Sequence, residues 1–160
     1  MRRVKMILVG GAMTVLAIAA MPSLLSAQDP AAVLKERQET MKQLGGNMKA
    51  INDFVEAGTG SAEDVATRAA SIREIAGKIP TLFPEGTSMD DGIGKTGAKP
   101  AIWSDWSGFQ AAATKMGEEA GKLAEVAAAG DRDAIGAQFG ALGKDGCGGC
   151  HQTFRQKLDD

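Results

Sequence analysis

The chain has 160 residues and a formal net charge of −2, which is room for one domain with a single core and excludes a two-domain enzyme. It is rich in Ala and Gly, with five Phe, two Trp and no Tyr, so its own side chains make a thin core that something bulky would have to fill.

The first element is a processing segment. Arg2, Arg3 and Lys5 precede the apolar run "MILVGGAMTVLAIAAM", and "SA" stands before Gln28. Residues 1–27 therefore read as a cleaved signal peptide and residues 28–160 as the mature domain, exported to the periplasm. Leu25 is larger than an ideal residue three before the cut, and the apolar run is shorter than the roughly 20 residues a spanning helix needs. Without the segment, 15 Lys and Arg face 20 Asp and Glu, a net charge of −5. That balance argues against nucleic acid as a partner. No basic amphipathic stretch survives to bind a membrane surface, so the mature protein is expected to be soluble.

From Asp29 onward the pattern is helical. Asp29 is placed to cap, Pro30 suits the first helical position, and Leu34, Met41, Met48 and Val55 recur every seven residues, with Leu44 and Ile51 on the second seam position. Arg37 falls on that second position, an odd place for a charge unless something anionic or polar waits inside the bundle; the alternative is an Arg whose stem covers the seam while its head reaches water. Gly58 and Gly60 end this helix.

"SAED" opens a second helix, with Ser61 as cap and Asp64 three residues on. Its buried stripe is Val65, Ala69, Ile72, Ala76 and Ile79, and Pro80 and Pro84 stop it. Residues 80–100 hold too many Gly, Pro and Asp to be regular. A third helix follows Pro100, with Trp106, Phe109, Ala113, Met116, Ala120, Leu123 and Ala127 on one face. Gly130 ends it and Asp131 caps a fourth. The fourth shows Ile135, Phe139 and Leu142, is interrupted by the glycines of "GKDGCGGC", and resumes through Phe154 and Leu158. No segment alternates with period two, so the fold class is all-α, an antiparallel four-helix bundle.

"CGGCH", from Cys147 to His151, admits four readings. In covalent haem attachment, Cys147 and Cys150 form thioethers and His151 binds iron, which accounts for all three residues. A thiol redox pair leaves His151 unexplained and lacks a preceding strand. Structural zinc wants four ligands where the chain offers three. A chance cluster is the bland alternative. No triad, paired-carboxylate site or phosphate loop is visible, so the chain is not expected to be an enzyme.

With "CGGCH" at the C-terminal end of a bundle, "RQETMK" in the first helix, "LFPEGTS" opening the middle loop and "AKPAIW" leading into the third helix, residues 30–158 resemble the class II c-type cytochromes, the group that contains cytochrome c-prime and its low-spin relatives. The resemblance implies one haem c joined through Cys147 and Cys150, with His151 as the proximal iron ligand. It also implies Arg37 and Gln38 bordering the haem, Arg37 as partner of a propionate, and Thr87 and Ser88 touching the haem edge. Met41 matches the distal position, a ligand in some members and a wall in others.

One His excludes paired histidine ligation within the chain. Two functions follow. In the first, Met41 is the sixth ligand and the protein is a one-electron carrier serving redox partner proteins. In the second, the iron is five-coordinate and binds small gases, nitric oxide or carbon monoxide. A homodimer through the first two helices is compatible with the resemblance.

Overall fold

The computed structural model describes residues 29–158; the signal peptide expected at 1–27 lies outside them. Helix α1, Pro30–Ala57, starts where the Asp29 carboxylate accepts the Ala31 N–H at 3.1 Å. It ends at Gly58, whose φ of 69° closes the last turn on the Phe54 carbonyl. Helix α2, Ala62–Lys78, has the reciprocal cap expected of Ser61 and Asp64: the Asp64 N–H donates to Ser61 Oγ at 3.1 Å and the Ser61 N–H donates to Asp64 Oδ2 at 3.0 Å. Pro80 does not end the chain's winding, because it sits in the first turn of a 3₁₀ segment, Ile79–Leu82, that continues from α2.

The third helix departs from expectation. It is two pieces, a single turn α3, Ala101–Ser104, and the long helix α4, Trp106–Ala129, separated at Asp105. The Asp105 side chain accepts the Gly108 N–H at 3.0 Å, so a capping carboxylate competes with continuous winding and wins. Gly130, at φ 78°, closes α4, and Asp131 caps α5, Arg132–Ala141, through the N–H groups of Asp133 and Ala134.

The fourth helix also differs. The glycines of "GKDGCGGC" do not interrupt it; Leu142–Gly148 widens into a π-helical turn in which the Gly149 N–H donates to the Lys144 carbonyl, and α6, Gly149–Phe154, follows without a break. Glycine weakens α-helical winding without forcing the chain to leave the helix axis.

These rods form an antiparallel four-helix bundle of α1, α2, α4 and the continuous α5–α6 arm, with no strand among the described residues. The most extensive helix pairing is α2 with α4. Small residues allow that approach: Ala69, Ala76, Ala113 and Ala120 are all buried there. Ile51, Ile72, Leu123, Ile135 and Leu142 fill the rest of the interior. Helix α1 packs on α2 and α5, and the space it shares with α4 and the α5–α6 arm is open. The loop 83–100 closes one end of that space, because the Lys99 N–H donates to the Phe154 carbonyl at 3.1 Å and the Gln156 N–H donates to the Gly97 carbonyl at 2.8 Å. A Cβ on Gly97 would collide with the Gln156 carbonyl, so the closure depends on a bare Cα. No helix among the described residues is long and apolar enough to cross a membrane.

Candidate functional site

The open space is a cavity of about 710 Å³, within the range that holds a large organic cofactor. Helix α6 and the wide turn before it bring Cys147, Cys150 and His151 to its wall. Both thiols are free and half-buried. Burial raises the Cys147 thiol above its ordinary value, and burial together with the neighbouring Cys147 pushes Cys150 up to about 11. At neutral pH both stay protonated, the opposite of the activated thiolate that a redox pair needs. Among the described residues no three His, Cys, Asp or Glu side chains come together as a group that could hold a metal ion. The His151 imidazole lies below its usual value, first because it is partly desolvated and then because Arg155 stands beside it, with Nη1 3.4 Å from Nδ1. It is therefore neutral at pH 7, the form that ligates iron.

Helix α1 supplies a second wall with Arg37, Gln38 and Met41. Arg37 is only 5% exposed. Its Nε and Nη2 donate to the Leu82 carbonyl at 3.1 and 3.0 Å, Nη1 to the Thr87 carbonyl at 3.1 Å, and Nη2 to Thr87 Oγ1 at 2.7 Å. The Phe83 ring lies 4.0 Å from its guanidinium carbon. Every partner is neutral, and among the described residues no carboxylate forms an ion pair with Arg37. Desolvation accordingly brings its pKa down to about 10, which still leaves it charged at pH 7. A buried cation without a counter-charge on a cavity wall suits a guest that carries carboxylates. Gln38 lies on the rim and donates from Nε2 to the Lys95 carbonyl at 3.1 Å, and Met41 is half-buried.

Thr87 and Ser88 are buried, but neither lines the cavity. Their hydrogen bonds hold the loop 83–100 and, through Thr87, the guanidinium. Thr87 holds Arg37 and donates from Oγ1 to the Pro84 carbonyl at 2.7 Å. The Ser88 N–H donates to Asp91 at 2.7 Å, and its Oγ accepts the Asp90 N–H at 3.2 Å. Both residues support the loop behind the guanidinium.

Other wall residues were not singled out from the sequence as cavity-lining. Phe83, Phe109 and Phe154 stack edge to face, at 4.9 Å for Phe83–Phe109 and 5.4 Å for Phe109–Phe154, and all three line the cavity beside Met116. The spacing of Phe109 and Met116 marks an apolar helix face, and core and cavity wall share that signature. Lys42, Lys95 and Arg155 also line it, whereas among the described residues no Asp or Glu does.

A small-residue bundle thus encloses a large void beside a buried guanidinium and a C-terminal "CGGCH". The family model described as Cytochrome C' matches residues 32–155. The chain belongs to the cytochrome c' family. Its cofactor is covalently attached haem c, and Cys147 and Cys150 fit that attachment. It is similar to cytochrome c' of Rhodospirillum rubrum, 39% identical over 145 residues, covering 89% of this chain and 96% of that protein. It is also similar to cytochrome c-556 of Agrobacterium tumefaciens, 35% identical over 126 residues, covering 78% of this chain and 97% of that one. Among solved structures, a cytochrome c' with ligand-controlled dimer dissociation shares 30% identity at a TM-score of 0.74, over 82% of this chain and all of that one.

Proposed function

We propose that the chain is a cytochrome c' that works as a gas-binding protein, with the iron position beside helix α1 open to nitric oxide or carbon monoxide. In this reading the haem supplies an iron that changes between ferric and ferrous states and takes a diatomic ligand. Everything else is the work of the chain. Cys147 and Cys150 tether the porphyrin and His151 provides the proximal nitrogen. Arg37 meets a propionate with its uncompensated charge, and Gln38 borders the same edge. Phe83, Phe109 and Phe154 exclude water from one side, and Met41 forms wall on the α1 side.

The observation that carries this reading is the 39% identity to a cytochrome c' across almost the whole chain. The ligand-controlled dimer dissociation of the relative solved at 30% identity supports a ligand-accessible iron here too. The rival is a one-electron carrier with Met41 as sixth ligand, serving redox partner proteins. It is favoured by Met41 lining the same cavity as His151. Export of residues 28–160 to the periplasm, after removal of 1–27, and a homodimer through α1 and α2 belong to the same proposal.

The test is the absorption and electron-spin-resonance spectrum of the ferric protein, followed by carbon monoxide added to the reduced form. High-spin ferric iron and a carbon monoxide complex are expected. Low-spin iron indifferent to the gas would hand the function to the electron carrier.

A further inference from the structure

The glycines around the attachment motif are not equivalent. In an α-helix a residue five along lies about 140° round the axis. In the widened turn Leu142–Gly148 that angle is smaller, because the Gly149 N–H bonds five residues back, to the Lys144 carbonyl, and not four. Cys147 is thereby brought nearer the face of the buried Leu142 than α-helical winding would put it, and Cys147, Cys150 and His151 all line the cavity wall. Unbroken α-helical winding would change the rotational phase of all three.

What permits the wide turn differs from glycine to glycine. Gly146 is buried against α4, where a Cβ would stand 3.2 Å from Met116 Cα and 3.1 Å from Leu142 Cδ1. Leu142 Cδ1 is the end of a side chain, but Met116 Cα is main chain and cannot swing aside. At Gly148 a Cβ would stand 3.2 Å from the Gly143 carbonyl oxygen within the turn itself. At Gly149 there is nothing within 4 Å.

We infer that Gly146 is a positioning residue for the haem: its bare Cα lets the wide turn seat on α4 at Met116, and that seating sets the rotational phase of Cys147, Cys150 and His151. The inference rests on the haem reading of the site. Because Gly→Ala improves helix propensity alike at either position, the pair Gly146→Ala and Gly149→Ala isolates the contact with α4. Each is produced as the full chain under conditions that attach haem, and the covalently loaded fraction is read by mass beside the ferric spectrum and the melting temperature.

Gly149→Ala is expected to match the unmodified protein in loading and spectrum. Gly146→Ala is expected to load at least twofold less and to show a shifted ferric spectrum in the fraction that does load. A Gly146→Ala protein that matches Gly149→Ala overturns the inference, and so does one that melts lower while its spectrum is unchanged, since that is packing alone. If Gly146→Ala does not accumulate, Gly148→Ala decides, because it strains the turn without touching α4: an altered spectrum supports the phase argument and an unchanged one overturns it. Covalent haem missing from the unmodified protein would instead fail the haem reading, and the inference with it.

Discussion

Arg37 and Thr87, fifty residues apart, are joined by a hydrogen bond of 2.7 Å that fastens helix α1 to the loop 83–100. Four hydrogen bonds to the Leu82 carbonyl, the Thr87 carbonyl and the Thr87 hydroxyl occupy all but one of the five guanidinium N–H groups. Among the described residues no carboxylate pairs with the charge itself. Arg37 thus serves two purposes, as a rivet between segments and as a fixed positive charge at the cavity.

Arg37→Leu separates these from simple packing. Each carbonyl left without a donor should cost about 1–3 kcal/mol, read as a lower denaturation midpoint. Removing a cation near the iron should also lower the reduction potential, because the electron is then held with less help. Arg37→Lys should restore part of the potential but little of the stability, since an ammonium cannot span two acceptors as the planar fork does. A potential unchanged in Arg37→Leu would show that the charge does not act on the haem.

The paired substitution Cys147→Ala, Cys150→Ala tests the tether. The unmodified protein should keep its colour through acid-acetone extraction, and the double variant should lose it. Stability should fall in parallel, because the tether keeps a large apolar group in place for the folded bundle to bury, and without it the cavity loses that burial. A colour that resists extraction from the double variant would rule out thioether attachment at these positions.

Much of the fold was legible because its signals are local. Asp29, Ser61 and Asp131 cap helices with side chains a few atoms from the N–H groups they satisfy, and Gly58 and Gly130 close helices through their own backbone angles. The break at Asp105 was hidden because apolar spacing runs on through Trp106 and Phe109, so a capping Asp looks like any surface Asp. The wide turn was misread for a different reason. A glycine run reports weak helix propensity, but whether the chain stops or widens is decided by the α4 surface it meets at Met116. In the site, "CGGCH" could be read from spacing alone. Which of Arg37, Phe83 and Thr87 faces the cavity depends on how a loop folds back on α1, and no periodicity encodes that.

Glu119 offers a pH test away from the haem. It is 5% exposed in α4 and accepts from Lys115 and Lys122 at 2.9 Å each and from Gln138 at 2.7 Å. Lys122 first, then Lys115 and Gln138, hold its carboxyl down at about 2. A carboxyl depressed in the folded state stabilises the protein above its ordinary value of 4.5 and loses that effect as pH falls towards 2. Glu119→Gln should therefore be less stable than the unmodified protein at pH 7, and the difference should shrink between pH 4.5 and 2. Denaturant midpoints across that window provide the check, and a constant difference would mean the ion pairs contribute nothing measurable.

Met41 decides between the two functions, and its truncation reads them apart. A thioether is the best soft donor left once His151 is bound to iron, and Met41, Met48 and Met116 all line the cavity. A half-buried methionine on a helix face is equally suited to fill a gap, however, since its flexible chain packs against irregular surfaces. If Met41 is wall, Met41→Ala should leave the ferric spectrum high-spin and speed carbon monoxide binding to the reduced protein, because removing the side chain clears space beside the iron. If Met41 is a ligand, the unmodified protein should be low-spin, and the same substitution should convert it to high-spin and create carbon monoxide binding where none existed. Stopped-flow mixing with the gas, set beside the ferric spectra, distinguishes a faster reaction from a new one. The gas-binding proposal stands on the first result and falls with the second.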